Sequence, residues 1–268
     1  MTKSVAILGC GPSGLMAAHA AAMSKWDFRI YSKKQESRLY GAQYLHAAIP
    51  GLESGETKTV KYQIMGTPEQ YRHKVYGEAW DGTVSPEDFL EQHYAWNLRS
   101  AYRQLWCRYR EQIVDFELSP SNMYLIDNTY QADLVISTIP RTVWDNDNSH
   151  FERINIWALG DTEMPRVEPP YRPEAFTVMC DGRPATPWYR VSNIFGYCTV
   201  EWPQWWNTPF ASVTPPVQGA ALVAKPLVYT GSAAQDFIHL GRYAQWTKGV
   251  LTSDVFFDAM KVFADDAI

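Results

Sequence analysis

The sequence predicts an α/β fold: a parallel sheet begun at the N-terminus, an inserted antiparallel β layer and a small helical region. Three observations predict it. An apolar run at residues 5–8 leads into Gly9-Cys10-Gly11-Pro12-Ser13-Gly14, and an Ala-rich stretch at residues 15–23 leads out. The run Leu134-Val135-Ile136-Ser137-Thr138-Ile139-Pro140 is nearly unbroken in apolar character and ends in a loop, as a strand buried on both faces does. Residues 150–230 are rich in Pro and Trp and lack helical periodicity, which suits short antiparallel strands.

The first segment reads as strand (residues 4–8), glycine-rich turn, then helix (residues 13–23). G-x-G-x-x-G in that context is the turn of a Rossmann-like dinucleotide fold. Gly9 permits the tight turn, Gly11 lets the backbone approach a pyrophosphate, and Gly14 lets the helix pack closely on the strand. Pro12 and Ser13 open the helix, whose N-terminal N–H groups and partial positive charge favour phosphate. A second strand is expected at residues 27–31. The position where many such folds place a ribose-binding acid is Ser32, followed by Lys33 and Lys34, with Glu36 beyond. Ser32 can bond a ribose hydroxyl and Lys33 a phosphate; a solvated surface is the other reading of both lysines.

Residues 35–60 read as loop, with Tyr40-Gly41-Ala42-Gln43-Tyr44-Leu45-His46 inside, and residues 60–78 as β structure. Ser85-Pro86-Glu87-Asp88 carries an N-cap, a proline at the first position and acids in the first turn, predicting a helix over 86–110. Trp96, Arg99, Arg103, Trp106 and Arg110 fall at helical steps on it. A core-facing aromatic row beside a solvated basic row is favoured over a nucleotide or nucleic-acid surface. A short strand is expected at residues 123–126. Further strands are expected at 155–159 and 175–180, with a hairpin over 189–201 turning at Phe195-Gly196. A short strand at 227–231 ends on Gly231, and Gly241-Arg242-Tyr243 opens a last helix running past Val250.

Composition narrows the function classes. With 46% hydrophobic and 20% charged residues, the 268-residue chain can build a sizeable core in one large domain or two modest ones. A net charge of −5 argues against general binding to a phosphate backbone. Cys10, Cys107, Cys180 and Cys198 show neither C-x-x-C nor zinc spacing and read as reduced, buried thiols; no metal site is expected. No stretch reaches the roughly 18 apolar residues of a membrane span, and a cytoplasmic protein is expected.

Four segments resemble FAD proteins of the glutathione-reductase-like superfamily, nearest its UDP-galactopyranose mutase and flavin amine oxidase branch. These are the Gly9-Gly11-Gly14 turn, residues 133–140, the Tyr40-Gly41 to His46 loop, and Gly241-Arg242 before the last helix. The loop departs from the mutase pattern at its first histidine, which is Gln43 here. The resemblance implies an FAD-binding Rossmann-like domain of the second glutathione-reductase type. That domain would hold residues 1–60, 116–145 and 222–268, with a substrate or cap region of residues 61–115 and 146–221. It implies FAD contacts from Gly9, Gly11, Pro12, Ser13, Gly14, Ser32, Lys33, Gln43, Gly231, Gly241, Arg242 and Tyr243. Ala158-Leu159-Gly160-Asp161 looks like the flavin Gly-Asp motif of disulfide reductases, but the prolines that follow leave no helix to start there.

The expected function is an FAD-dependent oxidoreductase of oxidase type, oxidising a small amine or amino-acid-like group by hydride transfer to flavin. Alternatives are mutase-like covalent flavin chemistry on a sugar nucleotide, tailoring of a modified nucleobase in viral DNA, and a non-catalytic dinucleotide-binding protein. Catalytic candidates are Tyr44, His46 and Arg190. His46 is a proton carrier or a structural hydrogen-bonder; Arg190 clamps a carboxylate or phosphate, or is a surface arginine. Trp202, Trp205 and Trp206 read as a lid, a stacking platform or an oligomer contact, so a homo-oligomer stays open.

Overall fold

The computed structural model describes residues 2–40, 44–53, 55–77, 92–123, 126, 131–163, 172–204, 215–232 and 237–265. In chain order the elements are β1 (Ser4–Leu8), α1 (Pro12–Met23), β2 (Asp27–Ser32), β3 (Lys58–Met65), α2 (Pro68–Tyr76), β4 (Gln92–Ala95), α3 (Leu98–Tyr109) and β5 (Ile113–Asp115). They continue with β6 (Leu134–Ser137), β7 (Phe151–Glu163), β8 (Thr177–Asp181), β9 (Arg190–Ile194) and β10 (Tyr197–Pro203). β11 (Ala221–Tyr229), β12 (Ile238–His239), α4 (Arg242–Gln245) and α5 (Thr252–Asp265) complete the order.

Two sheets organise these elements. The first is five-stranded and parallel in the order β12-β6-β1-β2-β5, with α1 as the crossover from β1 to β2. The expected Rossmann-like order is therefore present, with the apolar strand at residues 134–137 beside β1. Every residue from Gly14 to Ala21 is buried, because α1 is enclosed by the sheet, α3 and α5. Alanine there permits close approach on all sides, which a one-sided amphipathic helix does not need. The core on this side includes Ile7, Leu15, Met16, Ile30, Leu105, Phe256 and Phe263.

The second sheet has seven strands in the order β11-β7-β10-β9-β8-β3-β4, antiparallel except for the β3–β8 pair. The predicted hairpin is present: β9 and β10 flank Phe195 (φ 51°) and Gly196 (φ 82°), two left-handed residues of the kind that turns a tight hairpin.

Several local expectations are corrected. β structure stops at Met65, where Thr67 caps α2 in a reciprocal box with Gln70 and Pro68 takes the first turn. The helix predicted over 86–110 begins only at Leu98, capped by Asn97. Gln92–Ala95 is instead a strand, because pairing with β3 outweighs its helical spacing. Its predicted start, Ser85 to Asp88, lies outside the described residues. Trp96 precedes the helix, and Arg99 is 9% exposed with its guanidinium 4.2 Å from the Tyr197 ring centroid, so it leaves the solvated basic row to Arg103 and Arg110, which are exposed. Met123 and Ile126 are helical rather than strand, after the Pro120–Asn122 turn. Cys107 is exposed, unlike the other three cysteines. As expected, no helix starts at Asp161, which lies within β7 at the irregularity between the Leu159 and Thr162 pairings.

Candidate functional site

The glycine turn has the geometry its spacing predicts. Gly9 holds φ +105°, and a Cβ there would lie 2.7 Å from Ile139 Cγ2. A Cβ on Gly14 would lie 1.8 Å from the Gly9 carbonyl oxygen, so the helix can sit on the turn only with glycine. Gly11 differs: its Cβ would meet only Ser37 Oγ, at 3.5 Å, which leaves open space at the helix entrance. Gly11 is the N-cap of α1, with Pro12 next; no side chain caps it and no acid stands in the first turn. That arrangement leaves the N-terminal N–H groups for an outside anion. The shape and polarity of this cradle suit the pyrophosphate of a dinucleotide.

The segment after β2 is laced over the turn. Cys10 Sγ lies 3.4 Å from the Lys33 carbonyl, while the Tyr102 hydroxyl accepts from Ser37 N at 2.8 Å and donates to the Cys10 carbonyl at 3.4 Å. Tyr102, on α3, was not foreseen, since nothing in its spacing marks it as different from the core row. Ser32 ends β2 beside this segment, and Lys33 pairs with Glu117 at 3.5 Å on the surface.

The C-terminal motif meets the same turn. Gly241 has φ +91°, and a Cβ on it would lie 2.7 Å from Ser13 Oγ and 3.4 Å from Val255 Cγ2. The helix it opens is only Arg242–Gln245, ended by Trp246 in the left-handed region (φ 53°), and Gly249 (φ +95°) precedes the separate α5. The expected run past Val250 is thus corrected: buried Trp246 donates from Nε1 to the Glu152 carbonyl at 3.0 Å and turns the chain there. One turn of helix also lacks the aligned dipole that a longer one would bring. Arg242 Nε is buried without a hydrogen-bond acceptor among the described residues.

Tyr44 and His46 stand together, their rings 4.4 Å apart. The loop carrying them is pinned by reciprocal backbone bonds between Leu45 and Trp96 of 2.9 and 3.0 Å. The Tyr44 and Tyr62 hydroxyls are 2.9 Å apart, and His93 lies edge-on to both His46 and Tyr62. Burial, with a smaller repulsion from His93, lowers the His46 pKa, so its imidazole is neutral at neutral pH. Burial raises the Tyr44 hydroxyl well above its ordinary range. Gln43 lies outside the described residues.

Arg190 is neither solvent-facing nor wholly free. It begins β9 opposite Glu201 on β10 and donates from one terminal nitrogen to Glu201 Oε1 at 2.5 Å. The Lys225 ammonium, from β11, reaches Glu201 Oε2 at 2.6 Å and the Tyr189 hydroxyl at 2.8 Å, and Tyr189 donates to the same Oε2. Burial pushes the Glu201 carboxyl up, but Arg190 and Lys225 more than reverse this and hold it near 2. Burial, then the Arg190 charge, lowers Lys225 to about 7. Glu201, Lys225 and Tyr189 were not foreseen as a unit, since their sequence separation hides a contact made only by sheet pairing.

A cavity of about 220 Å³ opens against this group, lined by Tyr71, Tyr76, Tyr189, Arg190, Lys225 and Arg242 among others. Gly231 lies elsewhere: a Cβ there would meet the Tyr229 hydroxyl at 2.5 Å and His150 Nδ1 at 2.7 Å. These side chains converge on Asp145, whose Oδ2 is 2.9 Å from the Tyr229 hydroxyl and 2.7 Å from His150 Nδ1. Trp202 is 4% exposed in a core with Trp157 and Trp188, so it forms no lid; Trp205 and Trp206 lie outside the described residues.

No protein-family model and no curated protein matches the chain. Solved structures do. A variant of 2-methyl-3-hydroxypyridine-5-carboxylic acid oxygenase matches over 100% of this chain and 83% of its own, at 14% identity and a TM-score of 0.51. The flavin-dependent halogenase BrvH from Brevundimonas sp. BAL3 matches over 98% of this chain and 70% of its own, at 12% identity and a TM-score of 0.51. The chain therefore has a fold of the FAD-binding Rossmann-like kind. Neither neighbour is a mutase or an amine oxidase, so the branch expected from the His46 loop and Gly241-Arg242 gains no support.

Proposed function

We propose that this chain binds FAD and is an FAD-dependent oxidoreductase acting on a small molecule. One observation carries the reading: Gly241 touches Ser13 at the glycine turn, and the next residue, Arg242, lines the cavity beside Arg190 and Lys225. A dinucleotide seated on α1 is thereby brought next to a substrate-sized space. Gly9, Gly11, Pro12, Ser13 and Gly14 take the pyrophosphate, and Ser32 and Lys33 border the adenosine side. FAD supplies the two-electron acceptor. The reaction proposed is oxidation of a small amine or amino-acid-like group, with His46, uncharged at neutral pH, available to accept a proton. The fold likeness to an oxygenase and a halogenase favours a second reading, in which reduced FAD reacts with oxygen and the substrate is oxygenated.

The test is the visible spectrum of the purified protein supplied with FAD, then anaerobic addition of amine and amino-acid pools. Flavin bands that bleach without oxygen establish amine oxidation. Bands that bleach only with an external reductant, with substrate consumed once oxygen is admitted, establish oxygenation. Flavin that no substrate pool reduces or reoxidises identifies a non-catalytic binder, and failure to take up FAD overturns the proposal.

A further inference from the structure

The cavity beside Arg190 holds more positive charge than its own residues neutralise. Four basic residues, Arg190, Lys225, Arg242 and Lys248, line it, with one carboxylate, Glu201, beside them; Lys248 sits 4.8 Å from the Tyr76 ring centroid, and burial weakens the charge on Lys225. Both Glu201 oxygens are already engaged, Oε1 by Arg190 and Oε2 by Lys225 and Tyr189. The Nε atoms of Arg190 and Arg242 are each buried with no acceptor among the described residues. A buried guanidinium without its full set of acceptors is costly, and an anion in the cavity offsets the uncompensated charge of both arginines. The remaining walls are Tyr71, Tyr76, Ile154 and Leu227, aromatic or aliphatic surfaces suited to a compact apolar body. At about 220 Å³ the space lies below the range of drug-sized sites, so the occupant is small.

We infer that this cavity binds the carboxylate of a small organic acid, with Arg190 and Arg242 as its recognition residues and the tyrosines enclosing its apolar part. As a substrate site this rests on the FAD oxidoreductase reading; as an anion site it does not. An anionic group on FAD shares the chemistry, and Arg242 follows the Gly241 that meets Ser13; most of the walls, however, come from α2, β7, β9 and β11, and none of residues 9–14 lines them. The free acid is therefore the occupant.

Calorimetric titration of the protein with benzoate, benzamide and inorganic phosphate, each with and without FAD, tests this. Benzoate should bind in both states at least about tenfold more tightly than its uncharged isostere, the worth of one charge-assisted bond. Arg242→Gln should remove that preference while leaving benzamide and the far-ultraviolet spectrum unchanged. If that variant fails to fold, Ile154→Phe fills the cavity from its apolar wall with every cation retained, and should abolish benzoate binding. Equal affinity for benzoate and benzamide overturns the inference, as does loss of benzoate binding whenever FAD or phosphate is present. Benzoate binding without FAD uptake removes the proposed function and leaves the anion site standing.

Discussion

At the residue scale the two glycines flanking Ser13 make opposite demands. A methyl group on Gly14 would collide with the Gly9 carbonyl, whereas one on Gly11 would meet only Ser37 Oγ at ordinary contact distance. Gly14→Ala should therefore unfold at markedly lower denaturant, by about 1–3 kcal/mol as for other overpacked sites. Gly11→Ala should keep wild-type stability and yet lose most FAD affinity, because its methyl group stands where the pyrophosphate approaches. Urea unfolding and flavin retention on gel filtration separate the two; a destabilised Gly11→Ala that still holds FAD refutes the assignment. The spacing alone made the packing role of Gly14 legible, since it follows from backbone geometry within one turn. The cluster of Glu201 with Lys225 and Tyr189 was illegible for the converse reason. A carboxylate buried among Arg190, Lys225 and Tyr189 has meaning only once β9, β10 and β11 share a sheet.

At the element scale the sequence reading succeeded where a strand is buried on both sides or a turn is sharply specified, as at β1, β6 and the β9–β10 hairpin. It failed at residues 92–97, where helical aromatic spacing competed with strand pairing. β4 pairs with β3, and α3 begins after Asn97, whose side chain accepts from Ser100 N at 3.0 Å. The two assignments predict opposite signs for one substitution. Asn97→Ala in a helix interior would stabilise, since alanine is the better helix former. At an N-cap it removes the bond to a free N–H, and the expected outcome is a loss of about 1 kcal/mol in chemical denaturation. A stabilised variant would restore the longer helix. α4 shows the same limit: its glycine start was legible, but its end depends on Trp246 reaching the Glu152 carbonyl on β7.

At the scale of the whole molecule, the Rossmann-like half was legible because local patterns specify it. The seven-stranded sheet was legible only as a layer, because β3 and β4 join it from a distant part of the chain. That sheet also buries charge, and the acid stability of the protein follows from it. Glu201 is 1% exposed and its carboxyl is held near 2, below its ordinary 4.5. Asp181 is fully buried; burial pushes its carboxyl up, but bonds from Arg183 and Thr186 more than reverse this and leave it lowered from 3.8. A carboxylate whose folded pKa is depressed contributes stability that is complete above its unfolded pKa and disappears as pH falls through the folded value. The contribution of these two carboxylates should therefore be complete above about pH 4.5 and be lost steeply as pH drops toward 2. Urea midpoints measured across that range check the window. Glu201→Gln should flatten the slope and lower the neutral-pH midpoint, since removing one partner strands Arg190 and Lys225, a loss of about 3–5 kcal/mol for a buried pair. An unchanged slope in that variant would mean that Glu201 does not carry the acid transition, and Asp181→Asn would then be expected to abolish it.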